Sequence, residues 1–298
     1  MRVMLGCGLL AMVFAAAAAG ADAPAAPTPC RLLSLGSVPM EMDGTGRITV
    51  PVTFNGVEKR IMVDTGATAS AITAATATEL KLPAEEMRNR GSVVMWGGNK
   101  ASRIATVNEF GIAGMKGKDF LFFVINRYVE SAGLLGGDIF RSYDVDLDFA
   151  NAKFTMFSAD HCPGQVVYWT RGPYAAVPFE VNDNHIAVKL KLDGKNVKAI
   201  LDTGAPDTDM SLEKAAWEFD LDKKLLAKSR HYPFNTLSLG GINVANPAIE
   251  LVPDRESVLM GQYTDDINMI LGMGILRRLH LYISYKEKTI YVTPATQY

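Results

Sequence analysis

The chain has 298 residues, of which 48% are hydrophobic and 21% charged, and its formal net charge is −2 at pH 7. This length accommodates one or two domains with cores of their own, and the composition is ordinary for a soluble globular protein. The nearly balanced charge, without a long basic run in the sequence, argues against nucleic acid as a partner.

The first segment predicts export. Arg2 gives a short positive start, residues 4–19 are small and apolar, and Ala19-Gly20-Ala21 is a small-x-small cleavage site. A single membrane span is the competing interpretation, but the segment is short, rich in alanine and not followed by basic residues. We predict a signal peptide over residues 1–21, a periplasmic or secreted mature protein with no stable membrane anchor, and a flexible Ala- and Pro-rich leader over residues 22–37.

Two cysteines remain after this cleavage, Cys30 and Cys162, and they flank the first half of the mature chain. Export to an oxidising compartment favours a disulfide between them, with two separate thiols as the alternative. The four histidines lack the spacing of metal ligands, so we predict no metal or other cofactor and assign the histidines to surface or packing roles. They are His161, His185, His231 and His280.

An internal duplication organises the rest of the chain. Asp-Thr-Gly-Ala occurs at residues 64–67 and again at residues 202–205, and each copy follows an apolar run. The alternating pattern before each motif predicts a strand. The turn pairs Asn55-Gly56 and Asp193-Gly194 that follow these strands favour tight hairpins. Two such motifs at matched places in a duplication are far less probable by chance than one.

Further elements repeat after the motifs. Short helices are predicted at Ala74–Leu80 and Leu212–Phe219, with Thr73 and Ser211 as N-caps. Leu134-Leu135-Gly136 then corresponds to Ile270-Leu271-Gly272, and an apolar hairpin follows each. The pattern therefore predicts an all-β chain with short helices. Its two duplicated lobes cover residues 38–160 and 177–298, joined by a linker over residues 161–176 that contains Gly and Pro.

The apolar run, Asp-Thr-Gly-Ala and the later Leu-Gly resemble the aspartic peptidase family, specifically its retropepsin-like branch. The resemblance covers both lobes and implies two β-barrel lobes with a cleft between them. It also implies that Asp64 and Asp202 form one catalytic site. Retroviral members build this site from two identical subunits, whereas here one chain supplies both lobes. We therefore expect a monomer that acts as an aspartic endopeptidase on a peptide or protein substrate.

Two adjacent carboxylates suit this chemistry because they share one proton, so one acts as general base on water and the other as general acid on the carbonyl. Four pairs of flanking residues have expected roles. Thr65 and Thr203 are expected to hydrogen-bond across the lobes, and Gly66 and Gly204 to let the backbone approach the carboxylates. Ala67 and Ala205 are expected to leave the cleft open, and Ser70 and Thr208 to orient the aspartates.

The second turn departs from the first at Pro206 and Asp207, and Asp207 is expected to add a third carboxylate near the pair. Trp96, beside Gly97-Gly98, is the candidate for the flap over the cleft, with a core tryptophan as the alternative. Two other functions stay open: a catalytically silent peptide-binding protein of the same fold, and a structural exported β-protein whose aspartates only cap turns.

Overall fold

Strands dominate the structure, with 49% strand and 12% helix, which confirms the all-β prediction. The computed structural model describes residues 31–87, 93–94, 100–126, 129–182, 184–254 and 267–296, with only the backbone described at 93–94 and 100. The strands of the first lobe are β1 Ser34–Pro39, β2 Glu41–Met42, β3 Ile48–Phe54, β4 Val57–Val63, β5 Ala71–Thr73, β6 Ala84–Glu86, β7 Val93–Val94, β8 Lys100–Ala101, β9 Arg103–Ile112, β10 Met115–Ile125, β11 Gly133–Leu135, β12 Asp144–Asp148 and β13 Lys153–Phe157.

The second lobe continues the series. Its strands are β14 Ala175–Asn182, β15 His185–Leu192, β16 Lys195–Leu201, β17 Asp209–Ser211, β18 Thr236–Leu239, β19 Ile242–Ala245, β20 Glu250–Val252, β21 Met269–Leu271, β22 Leu279–Ser284 and β23 Thr289–Pro294. The helices are α1 Ala74–Glu79 and α2 Gly137–Phe140 in the first lobe, and α3 Leu212–Phe219, α4 Lys223–Ser229 and α5 Met273–Leu276 in the second.

The first lobe is a closed barrel of six strands. Its order is β3-β4-β11-β5-β10-β9, and antiparallel pairing of β3 with β9 closes the ring. Strand β11 inserts between β4, to which it is parallel, and β5, to which it is antiparallel. This insertion holds the Leu135-Gly136 segment behind the Asp64 turn.

The second lobe repeats this order as β15-β16-β21-β17-β20, with the β18–β19 hairpin paired to β15. Strand β21 is again parallel to one neighbour, β16, and antiparallel to the other, β17. The duplication read from the sequence is therefore present in the strand pairing.

One antiparallel sheet joins the lobes. Strands β1, β13 and β12 of the first lobe continue into β22, β23 and β14 of the second through antiparallel pairing of β12 with β22. Because β1 begins at Ser34, the prediction of a flexible leader is wrong for residues 34–37, which pair with β13. Similarly, β14 begins two residues inside the predicted linker, because Ala175 and Ala176 pair with β23.

Two buried aspartate–histidine pairs lie on this joining sheet. Asp144 bonds the ring Nε2 of His161 and accepts from the Tyr282 hydroxyl at 3.0 Å. Asp146 lies 2.7 Å from Nε2 of His280. His161 lies in the linker after β13, whereas Tyr282 and His280 are on β22 of the second lobe. The pairs therefore add polar cross-links to the seam between the lobes.

Local sequence explains the turns and helix starts. Asn55 and Asp193 have φ of 50° and 44°, and the glycines after them are also left-handed, which is the backbone that a two-residue hairpin turn needs. Thr73 and Ser211 accept N–H bonds from the third residue along, at 3.0 Å each, so the predicted N-caps are confirmed.

Aromatic side chains fill the interior of each lobe. Phe54, Phe110 and Phe122 contact one another in the first lobe, with ring centroids 5.2 to 5.6 Å apart. Phe234 packs against Phe219 and Tyr232 in the second. Over the described stretches of chain, none of the helices is long and apolar enough to cross a membrane.

Candidate active site

The two Asp-Thr-Gly-Ala turns lie at the interface between the lobes and are held in equivalent ways. The backbone N–H of Asp64 donates to the Leu135 carbonyl at 2.9 Å, and that of Asp202 donates to Leu271 at 3.0 Å. Behind each turn, the residue after the Leu-Gly pair donates to the alanine carbonyl of the turn at 2.8 Å. The Leu-Gly elements therefore fix the position of both aspartates, and the two alanines anchor the turns through their carbonyls.

The threonines of the two turns exchange hydrogen bonds across the lobes. The Thr65 hydroxyl donates to the Leu201 carbonyl at 2.8 Å and accepts the Thr203 N–H at 3.0 Å. The Thr203 hydroxyl in turn donates to the Val63 carbonyl at 2.7 Å and accepts the Thr65 N–H at 3.1 Å. Both threonines are buried, so these four bonds are shielded from water and set the register of one turn against the other.

The glycines of the turns bring the two carboxyl groups together. A Cβ at Gly66 would lie 2.2 Å from Cγ of Asp202, and a Cβ at Gly204 would lie 2.4 Å from Cγ of Asp64. Only glycine fits, because each backbone passes directly against the carboxyl group of the other lobe. Each glycine N–H also donates to the aspartate of its own turn, at 3.1 Å for Asp64 and 2.7 Å for Asp202.

Burial and proximity change the acidity of both carboxyl groups. Burial raises the pKa of Asp64 well above its usual range, and the Asp202 charge raises it further, against smaller opposite effects of the Gly66 N–H and of Arg47. Burial also raises the pKa of Asp202, opposed by the Gly204 N–H and the Asp64 side chain. Each carboxyl therefore influences the titration of the other, and the two titrate as one unit.

Residues 50–139 match the family model described as aspartyl protease. The matched segment is similar to the retropepsin-like aspartyl protease family. The match covers most of the first lobe, and the second lobe repeats its strand order and its Asp-Thr-Gly-Ala turn. A search of curated proteins finds no match to the chain. The family assignment supports a hydrolase of the protease class in general.

Ser70 and Thr208 support this protease-family site differently from the prediction. They were expected to orient the aspartates, but their described hydrogen bonds go elsewhere. The Ser70 hydroxyl donates to Asp138 at 2.7 Å and accepts the Gly136 N–H at 3.0 Å. Thr208 accepts the Gly272 N–H at 3.1 Å. Both hydroxyls therefore tie the end of the turn to the Leu-Gly element, and so act on the aspartates indirectly.

Sequence reasoning missed two cationic residues next to the dyad. Arg47, just before β3, donates through Nε to the Gly204 carbonyl at 2.5 Å, and its charge lowers the pKa of Asp64. His185 begins β15, is buried, and its charge lowers the pKa of Asp202. The two positions lie at the duplication offset, 185 − 47 = 138, so comparison of the copies was the signal that would have found them.

The assignment of all four histidines to surface or packing roles needs correction, because three of them interact with aspartates. His161 and His280 are paired with buried aspartates and the charge of His185 acts on Asp202, whereas His231 is exposed. Their partners are far away in sequence, which hid the roles. In the described residues, groups of three or more His, Cys, Asp or Glu side chains able to hold a metal ion are absent.

The expected third carboxylate is a different residue. Asp207 is exposed, whereas Asp209, two residues on, is partly buried and near Asp202. Burial raises the pKa of Asp209 to about 7, and the charges of Asp202, Glu250 and Asp207 add to this effect. The sequence pattern around the second turn indicated an additional carboxylate near the dyad. The prediction assigned it to Asp207, whereas Asp209 is the residue on which the Asp202 charge acts.

Two predictions fall partly or wholly outside the described residues. The flap candidate Trp96, with Gly97-Gly98, lies outside them and stays a prediction. Cys162 is disulfide-bonded. Its predicted partner, Cys30, also lies outside the described residues, so the Cys30–Cys162 pairing stays a prediction.

Proposed function

We propose that the protein is an aspartic endopeptidase that hydrolyses peptide bonds with a water molecule activated between Asp64 and Asp202. The observation that carries this proposal is the placement of each carboxyl group against the glycine of the opposite lobe, which makes the two a proton-sharing pair. A pair of aspartates that only capped turns would not need to be buried together at an interface between lobes.

The chemistry follows from the shared proton. The ionised carboxylate takes a proton from water while the water oxygen attacks the carbonyl carbon, and the protonated carboxyl gives its proton to the carbonyl oxygen. The carboxyl that took the proton from water then donates it to the amide nitrogen, the C–N bond breaks, and a hydroxyl of the diol gives its proton to the other carboxylate. One product leaves as an acid and the other as an amine, and the pair again holds one proton.

Substitution of either aspartate tests this function. We expect Asp64→Asn and Asp202→Asn each to lower kcat by roughly 10³-fold or more, because an amide cannot exchange the shared proton. Hydrolysis of quenched fluorescent peptides across pH 3 to 8, with Asp207→Asn as the matched exposed control, provides the measurement. Unchanged turnover in both dyad variants would exclude the mechanism. Peptide binding without turnover in the wild type would favour the silent binding protein.

We also propose that the mature protein is exported and works as a monomer on peptide or protein substrates. The disulfide at Cys162 supports an oxidising compartment, and the presence of both aspartates in one chain removes the need for a second subunit. Cell fractionation, the N-terminal sequence of the purified protein and its mass in solution by light scattering test these points. A cytosolic full-length chain or an obligate dimer would contradict them.

A further inference from the structure

Strand β17 carries a carboxylate where the first lobe carries a methyl group. Asp209 is the counterpart of Ala71 in β5, at the offset 209 − 71 = 138. Ala71 is fully buried in an apolar cluster with Met62 and Leu134. The Oδ1 atom of Asp209, in contrast, is buried and accepts no hydrogen bond in the described part of the chain. A buried carboxylate oxygen without a donor is costly, so its retention needs an explanation.

Strand alternation fixes the face on which this carboxylate lies. Met210 is fully buried in the main core, so its neighbour Asp209 lies on the other face of the strand. Parallel pairing aligns Asp209 with Glu250 of β20, and the next residue, Leu251, packs in the same core as Met210. Asp209 and Glu250 therefore share the face turned away from the core, side by side, and both are partly exposed.

The same face adjoins the dyad. The Glu250 N–H donates to the carbonyl of Thr208 at 3.0 Å, and Thr208 belongs to the turn that carries Asp202. The charge of Asp202 acts directly on Asp209. Across the described residues, neither Asp209 nor Glu250 has a Lys, Arg or His partner within ion-pair distance. Within the described residues, two carboxylates thus lie beside the reactive pair without a counter-charge.

We propose that Asp209 and Glu250 form a recognition pocket for a cationic side chain of the substrate, Lys or Arg, next to the Asp202 side of the dyad. This inference rests on the proposed function. An ammonium or guanidinium group bound at the exposed edge of this carboxylate pair would supply a positive charge that the described residues do not provide. The raised pKa of Asp209, near 7, agrees with a carboxylate whose counter-ion arrives with the ligand. The apolar Ala71 wall of the other lobe offers no such contact.

Matched peptides test the pocket. A peptide library randomised on both sides of the scissile bond first identifies the position at which a basic residue is preferred. Peptides that differ only by Lys or norleucine at this position are then hydrolysed by wild type, Asp209→Asn and Asp209→Ala. We expect wild type to prefer Lys or Arg at one position by roughly 10-fold or more in kcat/KM, since the contact is a partly buried charge pair. Both variants should lose this preference, measured within each variant as the ratio of kcat/KM for the Lys peptide to kcat/KM for the norleucine peptide. Asp209→Ala restores the residue of the first lobe.

Two further variants keep the outcome interpretable. Glu250→Gln should weaken the same preference at the same position, which tests the pocket even if Asp209 variants unfold. Glu180→Gln, an exposed carboxylate elsewhere on the second lobe, should leave it unchanged. Wild type that hydrolyses the library with no basic preference, or a preference that survives both Asp209→Asn and Glu250→Gln, would overturn the inference and leave the proposed function intact.

A binding experiment tests the pocket independently of catalysis. If wild type hydrolyses no peptide, the proposed function fails, and fluorescence anisotropy with labelled Lys and norleucine peptides then decides the inference alone. Tighter binding of the Lys peptide that Asp209→Asn abolishes supports the pocket. Equal or undetectable binding of the two peptides overturns it.

Discussion

Asp64 and Asp202 lie in a place that is unfavourable for their charges. Burial is the largest cause of the raised pKa of both carboxyls. Between the ordinary pKa of 3.8 and the raised folded value, the folded state binds more protons than the unfolded state. Its stability therefore falls as the pH rises through this window. A residue kept at a cost to stability is one on which function depends.

We expect Asp64→Asn to be more stable than wild type at neutral pH, although it is inactive. Asparagine keeps the acceptor for the Gly66 N–H at 3.1 Å but cannot ionise, so the pH-dependent loss disappears. The gain in Tm should be a few degrees at pH 7, at roughly 2–4 °C per kcal/mol, and should shrink towards pH 4. Thermal unfolding at both pH values measures it. A variant less stable than wild type at pH 7 would contradict the charge argument.

Residue roles that depend on a local motif could be predicted from the sequence, whereas roles that depend on partners far away in the chain could not. The dyad and its threonines and glycines follow from a motif repeated at matched places. The Ser70–Asp138 contact spans 68 residues, so no local pattern revealed it. Asp209 escaped notice because its counterpart, Ala71, carries no chemistry that would draw attention to the position.

Among the elements, the cross-lobe threonine bonds have the largest effect on geometry. Each hydroxyl both donates and accepts across the interface, so removal of one hydroxyl breaks two bonds at once. It also leaves a backbone N–H and a carbonyl without partners in a buried site. An unsatisfied buried group costs about 1–3 kcal/mol.

Thr65→Val should therefore destabilise the protein by about 2–5 kcal/mol, since valine has the same shape but no hydroxyl. Thr65→Ser keeps the hydroxyl and serves as the matched control, with a smaller loss expected. Urea unfolding gives the stability change, and peptide hydrolysis shows the effect of a displaced dyad on kcat. Equal stability of the Val and Ser variants would show that the hydroxyl bonds contribute little.

The elements themselves followed closely from the sequence. The Asn-Gly and Asp-Gly turns, the two N-caps and the strands before each motif depend on neighbours only a few residues away. Strands β1 and β14 were the exceptions, since their ends at Ser34 and Ala175 are decided by partners in β13 and β23. Nothing in Ala-Pro-rich composition or in a Gly-Pro linker marks where such pairing begins.

At the scale of the whole molecule, the joining sheet makes the two lobes one body. Residues 31–298 form a single compact unit. The carboxyl of Asp144 is fully buried where β12 meets β22, and His161 and Tyr282 both bond its Oδ2 atom, while Oδ1 has no hydrogen-bond partner in the described residues. Burial raises the pKa of Asp144, while His161, Tyr282 and Ser284 act in the opposite direction. Stability of the seam thus depends on keeping this carboxylate paired.

Removal of the histidine should destabilise the whole chain. We expect His161→Ala to cost about 3–5 kcal/mol at pH 7, because the variant removes a hydrogen-bond partner of a buried carboxylate. The cost should fall as the pH is lowered, since the pKa of Asp144 rises further without His161 and protonation then neutralises the carboxyl. Denaturant unfolding at pH 5 and 7 measures this. His231→Ala, at an exposed site, is the control, and equal losses in both variants would refute the prediction.

The division into two lobes was readable because the duplication is long and nearly free of gaps. The polar seam was not readable, because Asp146 and His280 are separated by 134 positions and meet only through the pairing of β12 with β22. Overall architecture therefore depended on repeated patterns, whereas the contacts between the repeats required the structure.

A peptide runs in one direction, from its amino to its carboxyl end, and a cleft with strict twofold symmetry would accept it equally well either way round. The two lobes here share a backbone plan but differ at Ala71 and Asp209. If a substrate crosses the dyad as proposed, the carboxylate on one wall is enough to orient it. Because both lobes belong to one chain, one wall of the proposed cleft can change without the other, and the proposed peptidase would then bind its substrate in one direction.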